Sequence, residues 1–275
     1  MTTYRSIDRP AALVIACLAV GGLVPPAAAQ TAPIAIELSQ PDQPVTLRIG
    51  ILSANIVVIG ERRKDIQLEV DGGESGRRII TPSGSKSIAA GSYRLSVAEE
   101  NNVVDVSSQW RSSTLDIVAR VPASAALELW TTNDGTIVVN DVTGAQQLQN
   151  TNGPITVSGA ANAVIAESVN EDIEIAFASL TGVEASSLTS VNGDLSLGLP
   201  AQASAQVHID TARGEISSDF EIEVLPSEPT VTRSQGKKGT LEIKVEDLII
   251  ANINGGGPIV RMKTLNGDIQ INKTQ

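Results

Sequence analysis

The 275 residues include one histidine and one cysteine, and only 2% are aromatic. Zinc, copper, haem and iron–sulfur sites each take several nitrogen or sulfur ligands, which His208 and Cys17 alone cannot supply. Soft-metal chemistry is thereby excluded, and no cofactor is expected. Positive charge is also scarce: 20 Lys and Arg stand against 31 Asp and Glu, a formal net charge of −11. Binding to nucleic acid rests on Lys and Arg displacing counterions and on aromatic stacking, so no nucleic-acid partner is expected. Segments with apolar residues at three-and-four spacing, the mark of an amphipathic helix, are missing as well.

The chain does contain aliphatic residues. Hydrophobic residues make up 41% of it, mostly Ala, Val, Ile and Leu, punctuated by 23 Gly and 13 Pro. The longest apolar stretch, Ala11 to Val24, follows Arg5 and Arg9 and leads into Pro25-Pro26-Ala27-Ala28-Ala29. A short positive region, an apolar run and small residues form the pattern of an export signal, with cleavage expected before Gln30. The run is 14 residues long, short of the roughly 20 that span a bilayer. Val14-Ile15-Ala16-Cys17 is also a loose lipoprotein box, which would anchor the chain at Cys17; the apolar run continues past it through Leu23 and favours the cleaved signal. Residues 30–275 then contain no cysteine, although disulfides are permitted outside the cytoplasm, and no transmembrane segment is expected in them.

From Ile34 onward apolar and polar residues alternate, as in Val45-Thr46-Leu47-Arg48-Ile49 and Leu241-Glu242-Ile243-Lys244-Val245. That is the period of a strand with one buried face, and the fold is expected to be all-β. In the carboxy-terminal part, turns of the type Asn-Gly-x precede short alternating strands at Asn133-Asp134-Gly135, Asn152-Gly153, Asn192-Gly193, Arg213-Gly214 and Asn266-Gly267, with a degenerate copy at Asn170-Glu171. Positions 135, 153, 171, 193 and 214 are separated by 18, 18, 22 and 21 residues. A recurring unit of this size predicts a β-solenoid, single-stranded β-helix-like, built from short strands and Asn-Gly turns. Gly144, midway between Gly135 and Gly153, predicts two strands per coil. Asn and Gly are expected to supply left-handed turn conformations. A β-sandwich joined by hairpins is the alternative. Residues 30–122 carry less regular strands and residues 123–275 the repeats, all within one domain. Asp71 to Arg78, Thr81 to Ser92 and Pro226 to Gly239 are expected as surface loops.

Arg120-Val121-Pro122-Ala123-Ser124-Ala125-Ala126-Leu127, the Asn-Gly repeats, Val191-Asn192-Gly193-Asp194-Leu195-Ser196-Leu197-Gly198-Leu199-Pro200, Asp210-Thr211-Ala212-Arg213-Gly214-Glu215-Ile216 and Lys263-Thr264-Leu265-Asn266-Gly267-Asp268-Ile269 together resemble the bacterial putative-adhesin family of β-strand-repeat proteins of unknown function. Ala54 to Val70 resembles that family's opening strand pair. The resemblance implies an exported all-β repeat protein with no established catalytic residues.

Residues with chemical potential are few. His208, in Ala205-Gln206-Val207-His208-Ile209-Asp210, is expected on the outward face beside Asp210, and no Gly-x-Ser-x-Gly elbow accompanies it. Asp172, Asp194, Glu215 and Asp268 recur in the turns and are expected to align along one side of the stack, as solvated edges or as the acids of a glycosidase. Neither an EF-hand loop nor a Gly-Gly-x-Gly-x-Asp repeat is present for calcium. No catalytic, cofactor-binding or metal-binding residue is therefore assigned. The expected function is a non-enzymatic, adhesin-like binding or structural module in the periplasm, on the cell surface or outside the cell. Its partner is a cell-envelope or extracellular polymer or protein, and self-association through exposed terminal coils is also expected. A carbohydrate-active enzyme using turn carboxylates is the alternative.

Overall fold

Alternating aliphatic and polar residues form the strands of the described chain. A computed structural model describes residues 33–71, 86–90, 93–108, 114–180, 184–226, 230–235, 241–246 and 248–274. The expected export signal over 1–29, Cys17, Trp110, Arg77-Arg78 and Lys237-Lys238 lie outside the described residues. In chain order the first eight strands are β1 (Ile34–Ile36), β2 (Thr46–Gly50), β3 (Ala54–Glu61), β4 (Ile66–Asp71), β5 (Lys86–Ala90), β6 (Tyr93–Glu100), β7 (Val103–Ser108) and β8 (Leu115–Pro122). The next eight are β9 (Ala126–Thr131), β10 (Ile137–Asn140), β11 (Gln146–Asn150), β12 (Ile155–Ala160), β13 (Val164–Ser168), β14 (Ile173–Phe177), β15 (Ser186–Thr189) and β16 (Leu195–Pro200). The last are β17 (Ala205–Arg213), β18 (Ile216–Ser218), β19 (Ile222–Leu225), β20 (Thr230–Gln235), β21 (Leu241–Glu246), β22 (Ile249–Ile253), β23 (Ile259–Asn266) and β24 (Ile269–Thr274). No helix occurs among the described residues.

The strands form two large mixed sheets and one separate hairpin. The 10-stranded first sheet has the order β1-β4-β8-β3-β10-β12-β14-β16-β24-β18, and the 12-stranded second sheet the order β19-β22-β17-β23-β15-β13-β11-β9-β2-β7-β6-β5. From β9 to β16 consecutive strands alternate between the sheets, and each pairs in parallel with the strand two places along. One strand from each sheet therefore makes a layer, as the midway Gly144 predicts. Register within this ladder is strict: Ile56, Ile137, Ile155, Ile173, Leu195 and Ile269 stand directly above one another, and all are buried. A parallel ladder in strict register places like side chains in columns, so aliphatic residues fill the space between the sheets with little need for aromatics.

The layers are not stacked in sequence order. The layer of β2 and β3 lies between that of β7 and β8 and that of β9 and β10. The last layer, β23 and β24, is inserted between that of β15 and β16 and that of β17 and β18. Two expectations are corrected here. The step of 21 residues from Gly193 to Gly214 does not join neighbours, because the Asn266-Gly267 turn intervenes; and β24 is an interior strand, not an exposed terminal coil. Antiparallel strands flank the parallel layers instead, β4 and β1 on the first sheet, and β6 and β5 at one end and β22 and β19 at the other end of the second. Loops were expected over Thr81 to Ser92 and Pro226 to Gly239, but Lys86–Ala90 forms β5 on β6, and Thr230–Gln235 pairs with Leu241–Glu246. β3 and β4, the expected opening pair, are separated by β8.

The turn glycines also work differently from the expected way. Gly135, Gly153, Gly193, Gly214 and Gly267 do not adopt left-handed backbone conformations. Each instead lies on the backbone of the adjacent layer: a Cβ at Gly153 would collide with the Gly135 carbonyl oxygen, one at Gly193 with Glu171, one at Gly267 with Gly193, and one at Gly214 with Gly267. The turn is thus glycine-rich because layers spaced by a β-ladder leave no room for a side chain at the corner. The left-handed conformation is used at Gly255 (φ +86°) and Gly256 (φ +85°), in the tight return from β22 to β23. Replacing Gly153 by Ala is therefore expected to cost about 1–3 kcal/mol, the usual range for overpacking. A urea titration checks this, as a lowered midpoint with an unchanged slope.

Candidate functional site

Two positions hold the corner that follows the second-sheet strands. The inward-facing column Thr131, Asn150, Ser168, Ser190 and Thr264 is polar and buried. Three of its side chains bind the turn backbone: Asn150 Nδ2 donates to the Gly135 carbonyl at 2.9 Å, Ser190 Oγ to Glu171 at 3.2 Å and Thr264 Oγ1 to Gly193 at 3.0 Å. Outside, the turn asparagines form a ladder. Asn170 Nδ2 donates to Asn152 Oδ1 at 2.6 Å, Asn192 Nδ2 to Asn170 Oδ1 at 3.0 Å and Asn266 Nδ2 to Asn192 Oδ1 at 2.9 Å. An amide suits this place because it is donor and acceptor at once and can link both neighbouring layers. Replacing Asn192 by Ala breaks both of its links and is expected to cost about 1 kcal/mol, read as a shift in thermal midpoint.

The turn carboxylates align, as expected, in the spatial order Asp172, Asp194, Asp268 and Glu215. They are tied to the backbone: the amides of Asp194, Asp268 and Glu215 donate to Oδ1 of Asp172, Asp194 and Asp268 in turn, each at 2.8 Å. Each of these three aspartates thus holds the amide of the next layer. Asp194→Asn, which keeps the Oδ1 acceptor, is expected to leave stability within about 0.5 kcal/mol of the parent, whereas Asp194→Ala loses about 1 kcal/mol; paired urea titrations separate them. No group of three or more His, Cys, Asp and Glu side chains suited to a metal ion occurs among the described residues.

On the second sheet His208 faces outward, half-buried, while Ala205, Val207 and Ile209 are buried as expected. Burial, with a smaller contribution from the Arg261 charge, holds the imidazole below its usual pKa. His208 Nε2 lies 3.0 Å from Gln206 Oε1, and Asp210 forms an ion pair with Lys263. The two expected neighbours thus share a face without forming a catalytic pair. Arg63 and Lys64 of the basic stretch Arg62-Arg63-Lys64 are paired with Asp65 at 3.0 Å and Asp42 at 2.6 Å.

The same outward face carries a shallow pocket of about 190 Å³ lined by Arg48, Gly50, Asp105, Ser107, Glu128 and Trp130. Its geometry follows from register. Asp105, Arg48 and Glu128 are neighbours across β7, β2 and β9, and Ser107, Gly50 and Trp130 are neighbours one step along. Arg48 Nε donates to Glu128 Oε2 at 2.7 Å and its Nη2 to Oε1 at 3.2 Å. This bond and the Glu128 charge, with Asp105 adding a smaller attraction, raise the Arg48 pKa above its ordinary value. Trp130 is 47% exposed, and the pyrrole side of its indole lies against Gly50, where a Cβ would strike Nε1. Among the other aromatic residues, Phe177 and Phe220 are buried.

The sequence alone did not bring Arg48, Gly50, Asp105 and Glu128 together around Trp130. Strand parity places Arg48, Glu128 and Trp130 on outward positions, yet nothing local sets β2 between β7 and β9.

No family model matches the chain, and no curated protein matches it. Among solved structures it is similar to a putative cell adhesion protein from Clostridium sporogenes ATCC 15579, with 10% identity, a TM-score of 0.42 and coverage of 88% of this chain and 100% of that one.

Proposed function

We propose that the chain is an exported, non-enzymatic β-repeat protein, adhesin-like, that binds a cell-envelope or extracellular polymer. In this reading residues 1–29 are its cleaved signal, with anchoring through Cys17 the less favoured variant, and the two sheets are the faces of a β-solenoid rather than a β-sandwich. The alternation of strands between sheets, each pairing in parallel with the strand of the next layer, supports the solenoid, since hairpins would make neighbours antiparallel. No helix of the described residues is long and apolar enough to cross a membrane.

The observation that carries the binding role is the outward face of the second sheet. Its strands present side chains in straight columns, for example Gln149, Glu167, Thr189 and Lys263 in register. A largely polar, regularly spaced surface suits a polymer with its own repeat, because each added layer offers another contact and weak contacts sum along the chain. The exposed apolar residues Val169, Val191 and Leu265, stacked beside the asparagine ladder, add a ridge suited to self-association.

The enzymatic alternative draws on the pocket, where Asp105 and Glu128 flank Trp130. The two acids are separated by the β2 strand, about 9–10 Å at ordinary strand spacing. Arg48 occupies the space between them and takes both oxygens of Glu128, which leaves that carboxylate poorly placed to exchange a proton with substrate. The binding role is favoured for that reason. A glycan and envelope-fraction binding screen with the purified chain, run beside product analysis of the same glycans, tests it. Binding with the glycans intact is expected; shortened products overturn the reading in favour of the enzyme, and absence of binding overturns it outright.

A further inference from the structure

We infer that the pocket at Trp130 binds a single neutral pyranose ring of an extracellular glycan, an inference that rests on the binding-module reading above. Trp130 stands on a strand in the middle of a sheet face whose neighbouring column, Arg48, Glu128, Gln147, Ile165, Ser187 and Arg261, is polar except for Ile165, and it remains 47% exposed. An indole left in water on such a face exposes the largest apolar surface a side chain has, and nothing in the packing of the layers requires it. Gly50 opposite makes the arrangement possible: any larger residue would push the ring away, since even a Cβ would strike Nε1. The glycine supports the ring from beneath with backbone alone and fixes its attitude. Trp130 is thereby held as a platform without being buried.

The groups around the platform specify the class of ligand. A pyranose has an apolar C–H face that lies on an indole and a rim of hydroxyls that need acceptors and donors. Glu128, Asp105 and Ser107 supply acceptors and the Arg48 guanidinium supplies donors, all in the lining of the pocket. The Arg48–Glu128 pair, 47% and 45% exposed, is held at 2.7 Å and so presents its free edges in a fixed orientation. The volume, about 190 Å³, is below the roughly 300–1,000 Å³ of pockets that enclose drug-sized ligands. It suits one ring of a chain that continues along the strand columns.

Charge decides between kinds of sugar. Two carboxylates face one guanidinium, so a ring bearing its own carboxylate is repelled by a local excess of negative charge, and the net charge of −11 adds to that repulsion at long range. Neutral hexoses and N-acetylhexosamines fit; uronic and sialic acids do not.

The test uses the full chain. With Trp110→Phe in place Trp130 is the sole indole, and its fluorescence is titrated with glucose, galactose, mannose and N-acetylglucosamine oligosaccharides and, separately, with oligogalacturonate. Saturable change with at least one neutral oligosaccharide at millimolar concentration is expected, and none with oligogalacturonate. Calorimetry with the same oligosaccharide on Trp130→Ala and on Gly50→Ala is expected to show at least about tenfold weaker binding, the loss usual for a buried aromatic anchor, while circular dichroism is unchanged. Silence across the neutral panel, tighter binding of oligogalacturonate, or undiminished affinity of a folded Trp130→Ala overturns the assignment. If Trp130→Ala still binds envelope polysaccharide as the parent does, this site falls and the binding-module reading stands. If the parent binds no envelope polymer, that reading falls, and the fluorescence titration judges the pocket independently.

Discussion

Replacing Leu197 by Asp is expected to abolish folding of the repeat layers. Leu197 is fully buried in β16, in register with Ile175 on one side and Ile271 on the other. Its column continues through Val157 and Val139, so a carboxylate there sits in a column of aliphatic side chains within the apolar core. An ionised group with no partner in such a place is too costly to keep, and protonating it still leaves hydroxyl and carbonyl unsatisfied while the leucine contacts are lost. The combined cost is at least about 4 kcal/mol against a total stability of about 5–15 kcal/mol for a domain. Far-ultraviolet circular dichroism and a urea titration are expected to show an unfolded or partly unfolded chain. Ser187→Asp is the control: the position faces outward between Ile165 and Arg261, and a change within about 0.5 kcal/mol is expected. Native spectra for Leu197→Asp would mean that the inward face has been assigned to the wrong residues.

The contrast between those two positions marks what was legible in the sequence. Which side chains face inward is a local property, fixed by the period of 2 along each strand, and the alternation at Leu195-Ser196-Leu197 or Ile173-Glu174-Ile175 is visible without any knowledge of neighbours. The spacing of 18 residues between Gly135 and Gly153 was legible for the same reason, since each turn is built alike. The role of those glycines was not. A tight turn is the ordinary cause of Asn-Gly pairs, and contact with the next layer's backbone appears only once the layers are stacked. The repeat was invisible in residues 31–122 because the layers there lack the asparagine corner, even though β2, β3, β7 and β8 pair in the same parallel register. The surroundings of Trp130 were hidden by distance along the chain: Arg48 and Glu128 are 80 residues apart. An outward arginine and an outward glutamate are unremarkable apart; their pairing is a consequence of layer order.

Layer order also underlies the second large effect, which is expected from deleting residues 255–275. Sequence order suggests a harmless loss of the last strands from the end of an array, where repeats behave as nearest-neighbour units. The topology predicts otherwise. β18 is paired with β24 and with no other described strand, and β17 is joined to the rest of the second sheet through β23. The Asn192–Asn266 and Asp194–Asp268 links, spanning 74 residues, also lie in this layer. Removing it strips β17, β18, β19 and β22 of their attachment at a stroke and leaves Leu188, Leu195 and Leu197 with one side of their columns open. Amide hydrogen exchange is expected to show protection lost in β17, β18, β19 and β22 and weakened at β15 and β16, with β9 to β14 still protected because each retains both neighbours. The urea slope is expected to fall with the reduced surface buried on folding. Protection persisting in β17 after the deletion would show that this strand docks without β23 and would overturn the interleaved order. Closure of the ladder by its final strands also means that the pairing of β17 and β18 with the rest waits for the carboxy terminus. A high separation between contacting residues slows folding, and refolding of the full chain is expected to lag that of the deletion variant's residual layers.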